Sequence, residues 1–146
     1  MKVRTSIAVV SAAALLGTGA FLLPAAASAH STAHTLKFIS VTKKSADFSK
    51  TTGGQQDTDL NKAGKIIGFD QLYFKFNPKT KTASGGVTLD TNGGFLYGTL
   101  KFTSSPVTHG KVTGGTGIFK GATGTITGKN LNKSGTRTAV TIIYHG

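Results

Sequence analysis

Ile66-Ile67-Gly68-Phe69-Asp70-Gln71-Leu72-Tyr73-Phe74-Lys75-Phe76-Asn77-Pro78 is the stretch that decides the fold class. Leu72, Phe74 and Phe76 alternate with Tyr73 and Lys75, the period of a strand with one buried face, and Asn77-Pro78 closes it as a turn. Working outward, Ser84 to Asp90 and Phe95 to Thr103 flank Thr91-Asn92-Gly93-Gly94, a tight hairpin because Asn and Gly tolerate positive φ. Leu36 to Thr42 reads as a first strand, with Phe38 and Ser40 on one face and Ile39 and Val41 on the other. From Lys43 to Lys65 the apolar residues give way to Lys, Ser, Thr, Gly, Gln and Asp, so a long surface loop is expected there. After Ser105-Pro106 come a short strand from Val107 to Thr113, a glycine-dense connection from Gly114 to Gly124, and two closing strands, Thr125 to Leu131 and Thr136 to His145. Seven strands are clear and an eighth has room to form. Local turns between them favour antiparallel pairing, and the spacing is that of an all-β barrel or sandwich.

Composition agrees with this reading and narrows the chemistry. The chain of 146 residues has 20 Gly, no Cys and no Trp, and its five acids are all aspartates: Asp47, Asp57, Asp59, Asp70 and Asp90. Disulfides, thiolate metal sites and cysteine nucleophiles are therefore excluded, as is any mechanism built on a glutamate. Lys2 and Arg4, an apolar run from Ile7 to Leu23, and Ala27-Ser28-Ala29 follow the order of a secretory signal peptide. Residues 1–29 are expected to be removed, leaving one domain, 30–146, in a secreted, extracellular protein. From His30 onward 14 lysines and one arginine, Arg137, face the five aspartates. The lysines are dispersed along the chain, whereas base reading and bidentate phosphate capture favour Arg, so no specific nucleic acid is expected as a partner. A basic surface attracted to anionic surface polymers or a protein partner is the alternative to a ligand-binding role.

Gly114 to Gly121 superficially resembles a nucleotide loop, but the sequence after it is strand, not a helix whose amides would receive a phosphate. The longer stretch Val112-Thr113-Gly114-Gly115-Thr116-Gly117-Ile118-Phe119-Lys120-Gly121-Ala122-Thr123-Gly124 instead resembles the GGxGxFxGAxG signature shared by plant allene oxide cyclases and dirigent proteins. Gly68-Phe69-Asp70-Gln71-Leu72-Tyr73 and Tyr97-Gly98 are similar to other strands of that superfamily, and the resemblance spans Leu36 to His145. It implies an antiparallel eight-stranded β-barrel with an apolar lumen, often assembled as a trimer in relatives, so that a homo-oligomer, a dimer or trimer, is expected here. The catalytic set is not carried over. The cyclase carboxylate belongs in the first strand, where the nearest equivalent is Phe38 and no acid occurs. The cyclase tyrosine position holds His109, and the dirigent Asp and Arg positions hold Ile118 and Thr123.

The resulting expectation is a lumen that binds a small apolar or aromatic ligand and steers its cyclisation or coupling by position and exclusion of water. No cofactor is expected. Phe38, Leu72 and Phe74 are candidate wall residues beside Ser40, with Asp70 and Tyr97 as polar contacts and His109 as the candidate proton-transfer group, because imidazole both donates and accepts near neutral pH. A copper site at an N-terminal His30 suits the ligand type, but nothing in the sequence brings His109 to it, and no metal ligand is assigned.

Overall fold

The computed structural model describes residues 32–146; the proposed signal peptide, residues 1–29, and His30 lie outside the described residues. Eight strands follow in chain order: β1 (His34–Asp47), β2 (Thr52–Leu60), β3 (Ile66–Asn77), β4 (Thr82–Thr91), β5 (Gly94–Phe102), β6 (Val107–Gly115), β7 (Thr123–Asn130) and β8 (Arg137–His145). Every neighbour pairs antiparallel, and β1 pairs with β8 from His34↔Tyr144 to Val41↔Arg137, closing the sheet into a barrel. Closure satisfies the backbone donors and acceptors that an open edge would expose.

The segment expected to be a loop, Lys43 to Lys65, is corrected by the structure. β1 runs on to Asp47, and residues Thr52 to Leu60 form β2, registered from Asp47↔Gly53 to Ile39↔Leu60 against β1. The sequence signal failed because the inward positions of this strand are Gln55, Asp57 and Asp59 rather than hydrocarbons. Alternation is present, but it is polar on the face where strands are ordinarily apolar.

The glycine-dense connection builds the floor. Between β6 and β7 the chain makes a short 3₁₀ turn, Gly117–Phe119, that folds Phe119 inward until it is 1% exposed. Phe119 meets Tyr144 edge-on at 5.4 Å and joins Leu96, Ala122, Ile126 and Ile142 in the core. The turn is held by Ile118 N–H donating to the Gly93 carbonyl (3.0 Å) and Thr116 N–H donating to that of Phe95 (2.8 Å). Gly117 sits at φ 59, and a Cβ there would run into the carbonyl oxygen of Gly93, so both its conformation and its closeness to the β4–β5 hairpin require glycine. One end of the barrel is thereby plugged.

Candidate functional site

At the other end the lumen is open. A cavity of about 370 Å³ runs inward from Phe74, Ala83 and Phe102 at the mouth to Ser40, Asp57 and Asp70. That volume lies within the range of small-molecule pockets. Small barrels of this strand number either fill with side chains or hold one small ligand; here Phe119, Leu96 and Ile142 fill the closed end and leave the rest hollow.

Three of the five aspartates are buried together on the β1–β3 side. Asp57 and Asp59 stand two residues apart on β2 and so share its inner face, and Asp70 is the register partner of Asp57 across β3. Ser40 on β1 lies between two of them, its Oγ 2.8 Å from Asp57 Oδ2 and 3.0 Å from Asp70 Oδ2. A hydroxyl has one hydrogen, so it donates to only one carboxylate at a time; the second contact is favourable when a carboxyl of the cluster carries a proton. Gln55 Nε2 donates to Asp57 Oδ2 (2.8 Å) and to Thr42 Oγ1 (2.9 Å). Asp59 has only 1% of its surface exposed, and neither of its oxygens meets a donor; Asp57 Oδ1 and Asp70 Oδ1 are likewise buried and unpartnered.

This arrangement sets the protonation order. Burial, then the neighbouring charge of Asp70, pushes the Asp59 carboxyl up to about 8, so at neutral pH it keeps its proton and donates it to Asp70. Burial, then the charge of Asp57, pushes Asp70 up to about 6, against hydrogen bonds from Asp59 and Ser40 that pull it down. Asp70 is therefore largely ionised at neutral pH and faces the cavity, while Asp59 stands behind it as a protonated neighbour. A lumen-facing carboxylate that titrates near neutrality can accept or return a proton. Gly68, the register partner of Asp59, leaves space for this: a Cβ there would stand 2.5 Å from the Asp90 carbonyl oxygen and 3.5 Å from Asp59 Oδ2.

The structure brings together Phe38, Ser40, Asp70, Leu72 and Phe74, all of which line the cavity. It does not bring Tyr97 or His109 to them. Tyr97 faces outward on β5, 39% exposed, in a depression on the outside of the sheet shared with Phe48 and Tyr73. His109 is exposed on β6 between the inward-facing Thr108 and Gly110, with Lys101 and Thr127 as its register partners. His109 thus lies off the lumen, and the titratable side chains that line it are the carboxyls of Asp57 on β2 and Asp70 on β3. Sequence reasoning missed Asp57 and Asp59, although Gln55, Asp57 and Asp59 at a spacing of two carry the signal of a polar inner face. Among the described residues no group of three His, Cys, Asp or Glu side chains is arranged to hold a metal ion, and His34 stacks on Tyr144 at 5.2 Å.

Fold and site together define a closed antiparallel eight-stranded barrel, blind at one end, with a hydrocarbon wall and an acidic one. The same barrel occurs in solved structures of a pyocyanin demethylase (17% identity, TM-score 0.65, covering 76% of this chain and 99% of that one) and of a pterocarpan synthase dirigent protein (17%, 0.61, 79% and 89%). It occurs also in a Diels-Alderase from Streptomyces koyangensis (10%, 0.65, 82% and 71%). These likenesses establish a dirigent-like fold. No protein-family profile and no curated protein sequence matches the chain.

Proposed function

We propose that this protein is an extracellular barrel that takes one small, largely apolar or aromatic molecule into its lumen and steers its cyclisation or coupling. The observation that carries the reading is the hollow of about 370 Å³ whose wall includes two buried carboxyls, Asp57 and Asp70, with few donors from the protein itself. Burying carboxyls with so few donors is costly, and a guest that brings a hydrogen-bond donor to the pair offsets part of that cost. Phe38, Leu72, Leu100 and Phe74 supply the wall that orients the guest and excludes water. Asp70 accepts or returns a proton, and Asp59, which does not line the cavity, acts as a positioning residue through its shared hydrogen bond. The three neighbours, by name a demethylase, a dirigent synthase protein and a Diels-Alderase, support the reading because each puts the barrel to work on a small organic molecule.

Native mass spectrometry of the protein taken from culture medium, repeated after denaturation, tests this. A released molecule of a few hundred daltons is the expected result. A clean ligand-free mass, together with no binding of apolar aromatic probes, would overturn it.

A second reading rests on a different observation. All 14 described lysines and Arg137 are exposed, whereas only Asp47 and Asp90 of the acids are. Such a surface attracts anionic cell-surface polymers. Adhesion of that kind weakens steeply with salt, while lumen binding hardly responds.

A further inference from the structure

Resting on the lumen reading, the charges inside the barrel narrow the class of guest. No Lys, Arg or His lines the cavity, and every basic side chain of β1–β8 and their turns is exposed or turned away from it. Facing the lumen are Ser40 from β1, Asp57 from β2 and Asp70 from β3, with Asp59 of β2 behind them; β4 to β8 contribute hydrocarbon and a few hydroxyl and amide groups. Asp57 and Asp70 are paired across the ladder, with the Ser40 hydroxyl, the Gln55 amide and the protonated Asp59 as donors to their side chains. Two carboxylates this close repel each other, and the protein provides no cation between them.

We propose that the guest is an organic cation: an aromatic or hydrophobic body bearing one protonated nitrogen, seated with the nitrogen at the Asp57–Asp70 carboxyl pair and the body against Phe38, Leu72 and Phe74. A protonated amine carries several N–H donors and so meets both carboxyls at once through charge-assisted hydrogen bonds, which are about twice as strong as neutral ones. A neutral alcohol offers a single donor and leaves the repulsion in place. A carboxylate guest adds a further negative charge to a buried acidic wall. The basic exterior slows the approach of a cation, but that effect is screened over about 8 Å at physiological salt, whereas the carboxylates act at contact.

The test uses three probes with one body: 1-naphthylmethylamine, 1-naphthalenemethanol and 1-naphthoate, titrated calorimetrically into the folded protein at pH 7.5. The amine is expected to bind at least about tenfold more tightly than the alcohol, as a hydrogen bond to a charged group implies, and the carboxylate more weakly than either. The Asp57→Asn, Asp70→Asn double variant should bring the amine down to the affinity of the alcohol. Wild-type protein supplies an independent reading. Amine affinity should fall as the pH is lowered through about 6, where Asp70 takes up a proton, while alcohol affinity holds. Alcohol or carboxylate binding as tight as that of the amine, or an amine preference that survives the double substitution, overturns the cationic guest but leaves the lumen reading standing. Failure of all three probes to bind overturns the lumen reading itself.

Discussion

Asp59 is the most exacting point at which to test the site, because its burial makes folding depend on pH in a direction opposite to that of a salt-bridged aspartate. In the unfolded chain its carboxyl ionises near 3.8, and in the barrel it is pushed up to about 8. Between those values the folded protein holds a proton that the unfolded chain has released, so stability is greatest below the unfolded value and declines as pH rises toward the folded one. Each pH unit in that window costs about 1.4 kcal/mol, so going from pH 5 to pH 8 removes about 4 kcal/mol. For a domain of this size that is a drop in Tm of more than about 10 °C. Urea unfolding at pH 5 to 9, followed by tyrosine fluorescence and circular dichroism because the chain has no Trp, measures it directly. Asp59→Asn keeps the shape, cannot ionise and has an amide to offer Asp70. Its lead over the wild type should be about 2 kcal/mol at pH 5 and grow to several kcal/mol more at pH 8 to 9, which separates the effect from the repulsion among exterior lysines common to both proteins. Equal stability of the wild type at pH 5 and 9, or a pH profile for the variant parallel to that of the wild type, would refute the protonated Asp59.

Ser40→Ala should raise the apparent pKa of Asp70, since the lost hydrogen bond favours the ionised form, and destabilise the fold by about 1–3 kcal/mol; the carboxyl resonance of Asp70 followed by NMR against pH gives the first and urea unfolding the second. Gly68→Ala drives a methyl to 2.5 Å from the Asp90 carbonyl oxygen and should cost about 1–3 kcal/mol in the same unfolding assay. Phe119→Ala removes the plug and should cost about 3–5 kcal/mol, with faster hydrogen exchange at the amides of Ile118 and Thr116 that tie the turn to the β4–β5 hairpin.

Most of the barrel was legible in the sequence wherever hydrocarbon marks the inner face. β3 begins and ends where the alternation of Leu72, Phe74 and Phe76 places it, and the Thr91 to Gly94 hairpin falls at its Asn-Gly signal. Legibility stopped at β2, and it stopped there for the reason that matters to function. Periodicity is a measure of burial by the hydrophobic effect, and a strand that turns Gln55, Asp57 and Asp59 inward looks like a loop to any such measure. Asp70 was visible as a candidate because β3 was recognised; its partners were not, because their strand was not. Tyr97 and His109 drew attention by residue type and by their places in the family resemblance, and the pleat turns both outward. The one acid of β1, Asp47, is exposed at its far end, and the buried carboxyls stand on the next two strands instead.

The confinement of the lumen's carboxyls to β2 and β3, with hydrocarbon on the strands around them, has one more result. A guest with a single polar end can satisfy both in only one orientation, because the closed floor at Phe119 admits it from one direction alone. Its two flat faces, equivalent in free solution, then look onto different strands. Any bond formed while it is held is offered to one of those faces in preference to the other, so the handedness of a product would be set by which strands carry the aspartates.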